Sequence, residues 1–184
     1  LDEPLYGHYL RRTGAQHPGR QRILATVECQ AAKVIEQEIL GEHELPVLFV
    51  KSMAHHLVGL DLGFLDELTN IILIRRPEEV IASLYRHLAQ PTLLDTAFHM
   101  QYHLLRYLQA QGRPPLVIDA RDLLTQPEAL LRQVCLRVGL NFEPAMLHWQ
   151  AGALPQDGVW APYWYDSLHQ TTGFEPYLRK PVHI

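Results

Sequence analysis

Three things are scarce in this sequence. Cysteine occurs twice among 184 residues, at Cys29 and Cys135, far apart and each in a segment that reads as helical and partly apolar. That excludes a disulfide scaffold and points to buried, reduced thiols. Long apolar runs are missing: nothing approaches the roughly 20 residues of a membrane-spanning helix, and the N-terminal residues lack the basic-then-apolar layout of a secretory signal. Positive charge is not in surplus either. The formal net charge is −4 and the pI near 6.3, which excludes a general nucleic-acid coat, because phosphate-backbone binding depends on a broad excess of Lys and Arg. Arg11-Arg12 is too short a patch to change this, so any bound anion must be met by a local cluster. What remains is globular in character. With 47% hydrophobic and 20% charged residues, the chain is not a disordered segment, and its length suits one domain able to bury a core. A protein of the reducing cytoplasm is expected, with neither membrane nor nucleic acid as partner.

Three short apolar runs lack polar alternation: Val47-Leu48-Phe49-Val50, Ile71-Ile72-Leu73-Ile74 and Leu116-Val117-Ile118. Such runs suit strands buried on both faces of a parallel sheet. Helical patterns lie between them. Val80, Ile81, Leu84 and Leu88 recur at spacings of three and four after Pro77, which suits a first helical turn, and Glu78 and Glu79 stand where the helix dipole favours acids. Residues 93–111 read as a longer amphipathic helix ended by Gly112. Thr125-Gln126-Pro127-Glu128 has capping-box spacing, and Leu130, Leu131, Val134 and Val138 form an apolar face closed by Gly139. The alternation predicts an α/β fold, a parallel sheet with flanking helices and right-handed crossovers. From Trp149 onward Gly, Pro and aromatic residues replace the periodic pattern. This segment reads as an irregular, Trp-rich C-terminal cap over the sheet, since large aromatic surfaces are rarely left in water.

Ligands of an open parallel sheet bind beyond the carboxyl ends of its strands. The residues in those places are Lys51 and His55-His56 after the first run, Arg75-Arg76 after the second, and Asp119 with Arg121 after the third. Arg75 precedes a helix start, where unpaired N–H groups already favour an anion. Ser83 follows about two helical turns later, so its hydroxyl can flank the same ligand, and a phosphate fits this pair. An ion pair between these arginines and a nearby acid such as Glu79 explains them equally well.

The ordered set "VLFVKSMAHHL", "NIILIRRPEEVIASLYRHL" and "VIDARDLLTQPEALLRQVCLRVGLNF" resembles the sulfotransferase family, P-loop-fold enzymes that use 3′-phosphoadenosine 5′-phosphosulfate (PAPS) as cosubstrate and need no metal. "DEPLYGHYL", the double histidine and the Trp-rich ending resemble bacterial sulfotransferase-like proteins most. The resemblance implies that Arg75 and Ser83 hold the 3′-phosphate of the nucleotide donor and that Lys51 with His56 or His55 serves sulfuryl transfer. It also implies that the acceptor is a small hydroxyl or amine compound. Glu3, placed at the same edge, either orients a histidine or acts as the base, or is simply a helix N-terminal acid preceding Pro4. Family members open with a strand and a Gly- and Ser/Thr-bearing phosphate loop. None precedes Leu1 in this sequence, and "RRTGAQHPG" is no replacement, so a single domain over 1–184 without its N-terminal strand and phosphate loop is expected. The spacing from Lys51 to the histidines is longer than the family's Lys-x-His and leaves open which one acts. Arg179-Lys180-Pro181 is similar to a family Arg-Lys-Gly clamp, but proline lacks the backbone donor, and no role is carried over to it.

Two further patterns have ordinary explanations. His99 and His103, four apart on a helix, can face one metal, but a solvated helix face is the simpler account with 11 histidines in the chain. Trp149, Trp160, Trp164, Tyr163 and Tyr165 either line an acceptor pocket or simply pack. Alternatives to an enzyme are a non-catalytic nucleotide-binding member and a protein-interaction module; a second copy of the chain, as a homodimer, is compatible with each.

Overall fold

The computed structural model describes residues 1–178, so Arg179-Lys180-Pro181 lies outside the described residues. Two short helices come first, α1 (Tyr6–Thr13) and α2 (Arg20–Thr26). Leu5, Tyr6, Tyr9 and Leu10 bury one face of the α1 region, and the helix stops where Gly14 takes a left-handed conformation at φ 72°. A short α3 (Ala31–Lys33) continues as π-helical turns over Val34–Ile39. Cys29 therefore sits in the link between α2 and α3, not in a helix as expected; both cysteines are buried free thiols.

The first apolar run is not a strand. Its end pairs in parallel with the chain's first residues, through an Asp2–Lys51 bridge, Glu3 N–H to Lys51 O at 2.7 Å and Lys51 N–H to Leu1 O at 3.0 Å. One bridge does not make a ladder, and Phe49 remains 71% exposed. The other two runs are strands as predicted: β1 (Ile71–Ile74) and β2 (Leu116–Asp119) pair in parallel, with Ile71 opposite Leu116 and Ile74 opposite Asp119. They are not buried on both faces, however. Ile71, Leu73, Ile74 and Val117 are exposed while Ile118 is buried and Ile72 packs, partly buried, against the first core cluster.

Between the strands run α4 (Pro77–Leu84) and α5 (Phe98–Ala110), the crossover that a parallel pair requires. α4 starts at Pro77 as expected. α5 begins five residues later than predicted, because Ala97 adopts a left-handed φ of 62° after a 3₁₀ turn at Leu94–Thr96. Gly112, at φ 71°, follows the end of α5 as anticipated. After β2 come α6 (Ala120–Thr125) and α7 (Pro127–Val138). The capping box does not form: the Thr125 hydroxyl donates back to Arg121 O at 2.7 Å, and Glu128 instead pairs with Arg132 at 2.8 Å. Gly139 closes α7 in a left-handed conformation.

The core has two parts. One joins Leu5, Val34, Ile39, Leu57, Leu62, Leu65, Leu104 and Leu108; the other joins Tyr6, Tyr9, Leu10, Ile23 and Trp160. The second draws in the aromatic C-terminal segment. That segment is irregular, as expected, apart from short turns such as α8 (Ala161–Trp164), and its Trp160 packs with Tyr6, Tyr9 and Leu10 of α1 and Ile23 of α2.

Candidate functional site

Glu3 is fixed by its backbone. Its N–H is held by Lys51 O and its φ is 40°, a left-handed value that is unfavourable for a non-glycine residue and is maintained only by surrounding structure. The conformation turns the chain from the bridge into α1 and buries the side chain, which forms an ion pair with Lys51. Burial pushes the Glu3 carboxyl up from its ordinary range, with the Lys51 charge opposing. Lys51 Nζ also donates to Tyr165 OH at 2.9 Å and lies 3.7 Å from Asp2 Oδ1. Asp2 in turn accepts from Tyr165 OH at 2.9 Å and from Trp160 Nε1 at 3.0 Å. The aromatic C-terminal segment thus clamps the lysine from the far end of the chain.

His55 and His56 stand on a 3₁₀ turn, Ala54–Leu57, packed on α1. His56 is 1% exposed and stacks on Tyr6 with ring centroids 4.7 Å apart. His55 meets Tyr9 edge-on at 4.6 Å. Burial holds both rings neutral, His55 down to about 4 and His56 well below its ordinary value. Nδ1 of each has no hydrogen-bond partner among the described residues, and His56 Nε2 reaches Glu3 Oε2 only at 4.0 Å.

A cavity of about 190 Å³ opens among these groups, walled by Glu3, Lys51, His55 and His56 together with Tyr6, His17, Asp95, Trp164 and Tyr165. The four residues expected to serve catalysis, Glu3, Lys51, His55 and His56, are therefore neighbours. Arg75 and Ser83 do not line the cavity, although Leu84, next to Ser83, does. The Arg75 side chain is 48% exposed and pairs with Glu79 at 2.9 Å; Arg76 pairs with Glu78, and Ser83 Oγ accepts from Arg86 at 2.9 Å. Local ion pairs are thus the present use of these arginines. Of the aromatic candidates, Trp164 and Tyr165 line the cavity, whereas Trp160 packs in the core and Trp149 packs edge-on against Phe174. His99 and His103 are both exposed on α5, and no group of three potential ligands gathers for a metal among the described residues.

Sequence reasoning missed Tyr6, Tyr9, His17 and Asp95. His17 and Asp95 stand 78 positions apart yet meet at 3.1 Å, a proximity with no local signature. The tyrosines were legible: spaced three apart in "LYGHYL" with Leu5 and Leu10, they mark a helical face.

A family model described as a sulfotransferase domain matches residues 1–179. The chain belongs to the sulfotransferase domain family. Two curated proteins of Arabidopsis thaliana, branched-chain-amino-acid aminotransferase-like proteins 1 and 2, are each 35% identical to this sulfotransferase domain over 182 residues. The match takes in 98% of this chain but 33% and 32% of theirs, so the chain spans about a third of the length of the curated relatives it matches. No solved structure matches it. Among the described residues no helix is long and apolar enough to cross a membrane.

Proposed function

We propose that this domain is a P-loop-type sulfotransferase that passes the sulfuryl group of PAPS to a small hydroxyl or amine acceptor. The observation that carries the reading is the gathering of a lysine, a buried carboxylate and neutral imidazoles around one small cavity beside α4, the helix that follows β1. Lys51 neutralises the charge that grows on the bridging phosphate oxygen as the bond to sulfur breaks, an electrostatic role that a fixed ammonium performs without reorganisation. Glu3 and Tyr165 hold Lys51 in place. The proton of the acceptor goes to a buried imidazole of this cavity, His17, His55 or His56, each neutral and so able to accept. Arg75 and Ser83, at the end of β1 and on α4, take the 3′-phosphate once the Arg75–Glu79 pair opens.

The test uses the natural full-length protein and adenosine 3′,5′-bisphosphate. Calorimetric titration should give saturable heat, and PAPS should be turned over to the bisphosphate. A protein that shows neither heat nor turnover is not a PAPS enzyme, and an interaction role would replace the reading.

A further inference from the structure

In the cavity wall lies a hydrogen-bonded chain of which the roles above use His17 alone. Tyr6 OH stands 2.8 Å from His17 Nδ1, and His17 Nε2 stands 3.1 Å from Asp95 Oδ1. All three residues are buried and all three line the cavity. Asp95 is held from every side: its Oδ1 also accepts from Tyr9 OH at 3.1 Å, and its Oδ2 accepts from Thr92 N–H at 2.6 Å and Thr92 Oγ1 at 2.7 Å. These donors keep its carboxyl ionised, below its ordinary range despite burial.

An ionised Asp95 has no proton to give, so His17 Nε2 must be the donor in that contact. The neutral ring then has a bare Nδ1, and Tyr6 O–H donates to it. Direction along the chain is thereby fixed, from tyrosine to histidine to aspartate. This is the wiring of a nucleophile, a base and a carboxylate that orients the base, with a phenol in the first place. His55 and His56 lack that wiring. Their Nδ1 atoms have no partner among the described residues and no carboxylate fixes their tautomers.

We propose that Tyr6, His17 and Asp95 form the proton relay of the transfer step, with Tyr6 the group that touches the acceptor. The relay rests on the sulfotransferase reading above. As the acceptor oxygen bonds to sulfur, the sulfur–oxygen bond to the donor's phosphate breaks and its electron pair leaves with the bisphosphate. The acceptor's proton passes to the Tyr6 oxygen while the Tyr6 proton passes to His17 Nδ1. The imidazolium so formed lies against the Asp95 carboxylate. No tyrosinate is stored at any point, in keeping with the burial that raises the Tyr6 phenol above its ordinary value. His17 is the relay's positioning and accepting member, Asp95 the group that sets its tautomer, and His55 and His56 serve as walls.

The test is Tyr6→Phe in the natural full-length protein, since phenylalanine keeps the ring stacked on His56 and removes only the hydroxyl. The probe reaction is single-turnover release of bisphosphate from PAPS with water as acceptor. Tyr6→Phe should slow it by about 10²-fold, the usual range for a positioned proton acceptor, and leave adenosine 3′,5′-bisphosphate affinity within about twofold. A proton inventory in mixed light and heavy water should be curved for the native protein, with two protons in motion, and linear for Tyr6→Phe. Asp95→Asn should act through the tautomer: nitrogen NMR should show the His17 proton on Nε2 in the native protein and on Nδ1 in the variant, where Tyr6 can no longer donate. Bisphosphate binding with a Tyr6→Phe rate within threefold of native, or a native His17 protonated on Nδ1, would overturn the relay while leaving the sulfotransferase reading intact. Loss of bisphosphate binding in the native protein would instead remove that reading.

Discussion

The two halves of the candidate site are built on opposite plans. Around His55, His56 and His17 every ring is buried, stacked or hydrogen-bonded, and the side chains come from both ends of the chain. At the end of β1 and along α4, a helix with no buried residue, Arg75, Arg76 and Ser83 pair with Glu79, Glu78 and Arg86, each within four residues, and the Tyr177 hydroxyl donates to Glu79 at 2.6 Å. A polar cluster in low dielectric is rigid because each unmet group would be expensive. Surface ion pairs are worth ~0–1 kcal/mol and open readily. Substitutions in the first half should therefore injure the fold and the chemistry together, and those in the second half binding alone.

The largest effect expected is on stability. Tyr9 is 0% exposed, packs in the second core cluster and donates to Asp95. Tyr9→Ala should cost about 3–5 kcal/mol, the range for truncating a buried aromatic, against about 1 kcal/mol for Tyr9→Phe, which loses one hydrogen bond. Urea unfolding checks both, and equal losses would mean that the hydroxyl and not the ring carries the packing. Acid should come next. Burial lowers His55 to about 4 in the fold, whereas the unfolded residue titrates near 6.5. A depressed pKa gives stability that is complete above the unfolded value and is lost as pH falls through the folded one. Between about pH 6.5 and pH 4 the loss from His55 alone is on the order of 3 kcal/mol. Glu3 works in the opposite sense, since its raised carboxyl favours the fold once protonated. The net acid loss should shrink in His55→Phe, and an unchanged slope of urea midpoint against pH would show that His55 is not the group responsible.

How much of this was readable in advance follows the same division. Pro77, Gly112 and Gly139 announced their helix boundaries because backbone rules act locally, and the β-rich runs at residues 71–74 and 116–118 became the paired strands. The first run failed as a strand because composition cannot supply a ladder partner. The start of α5 differs from the expected one because Ala97 takes a left-handed φ of 62° after the 3₁₀ turn at Leu94–Thr96, against the preference of alanine. In the site, Lys51, His55 and His56 could be named from their resemblance to known motifs, and Glu3 from its place at the same edge. Asp95 and His17 could not, since a carboxylate in a Thr-Leu-Leu-Asp turn looks like any surface turn until the fold carries it to a histidine 78 positions away.

The second half of the comparison calls for binding measurements. Arg75→Ala should weaken adenosine 3′,5′-bisphosphate by about 1.5–3 kcal/mol, as for a charged hydrogen bond, while moving stability by no more than about 1 kcal/mol through loss of the Glu79 pair. Calorimetry at fixed salt reads the first and urea unfolding the second; an unchanged affinity would take Arg75 out of the site.

Ser83→Ala should have the smallest effect and is the finer probe. Its hydroxyl now accepts from Arg86, a contact on an exposed flank whose removal should leave stability within about 0.5 kcal/mol. If the hydroxyl instead turns to the phosphate that Arg75 holds, the affinity lost should be about 1 kcal/mol. Two residues sharing one phosphate are not independent, so the double variant should lose less than the sum of the single losses. Strict additivity would place Ser83 and Arg75 on separate ligand groups, and the phosphate would then belong to Arg75 alone.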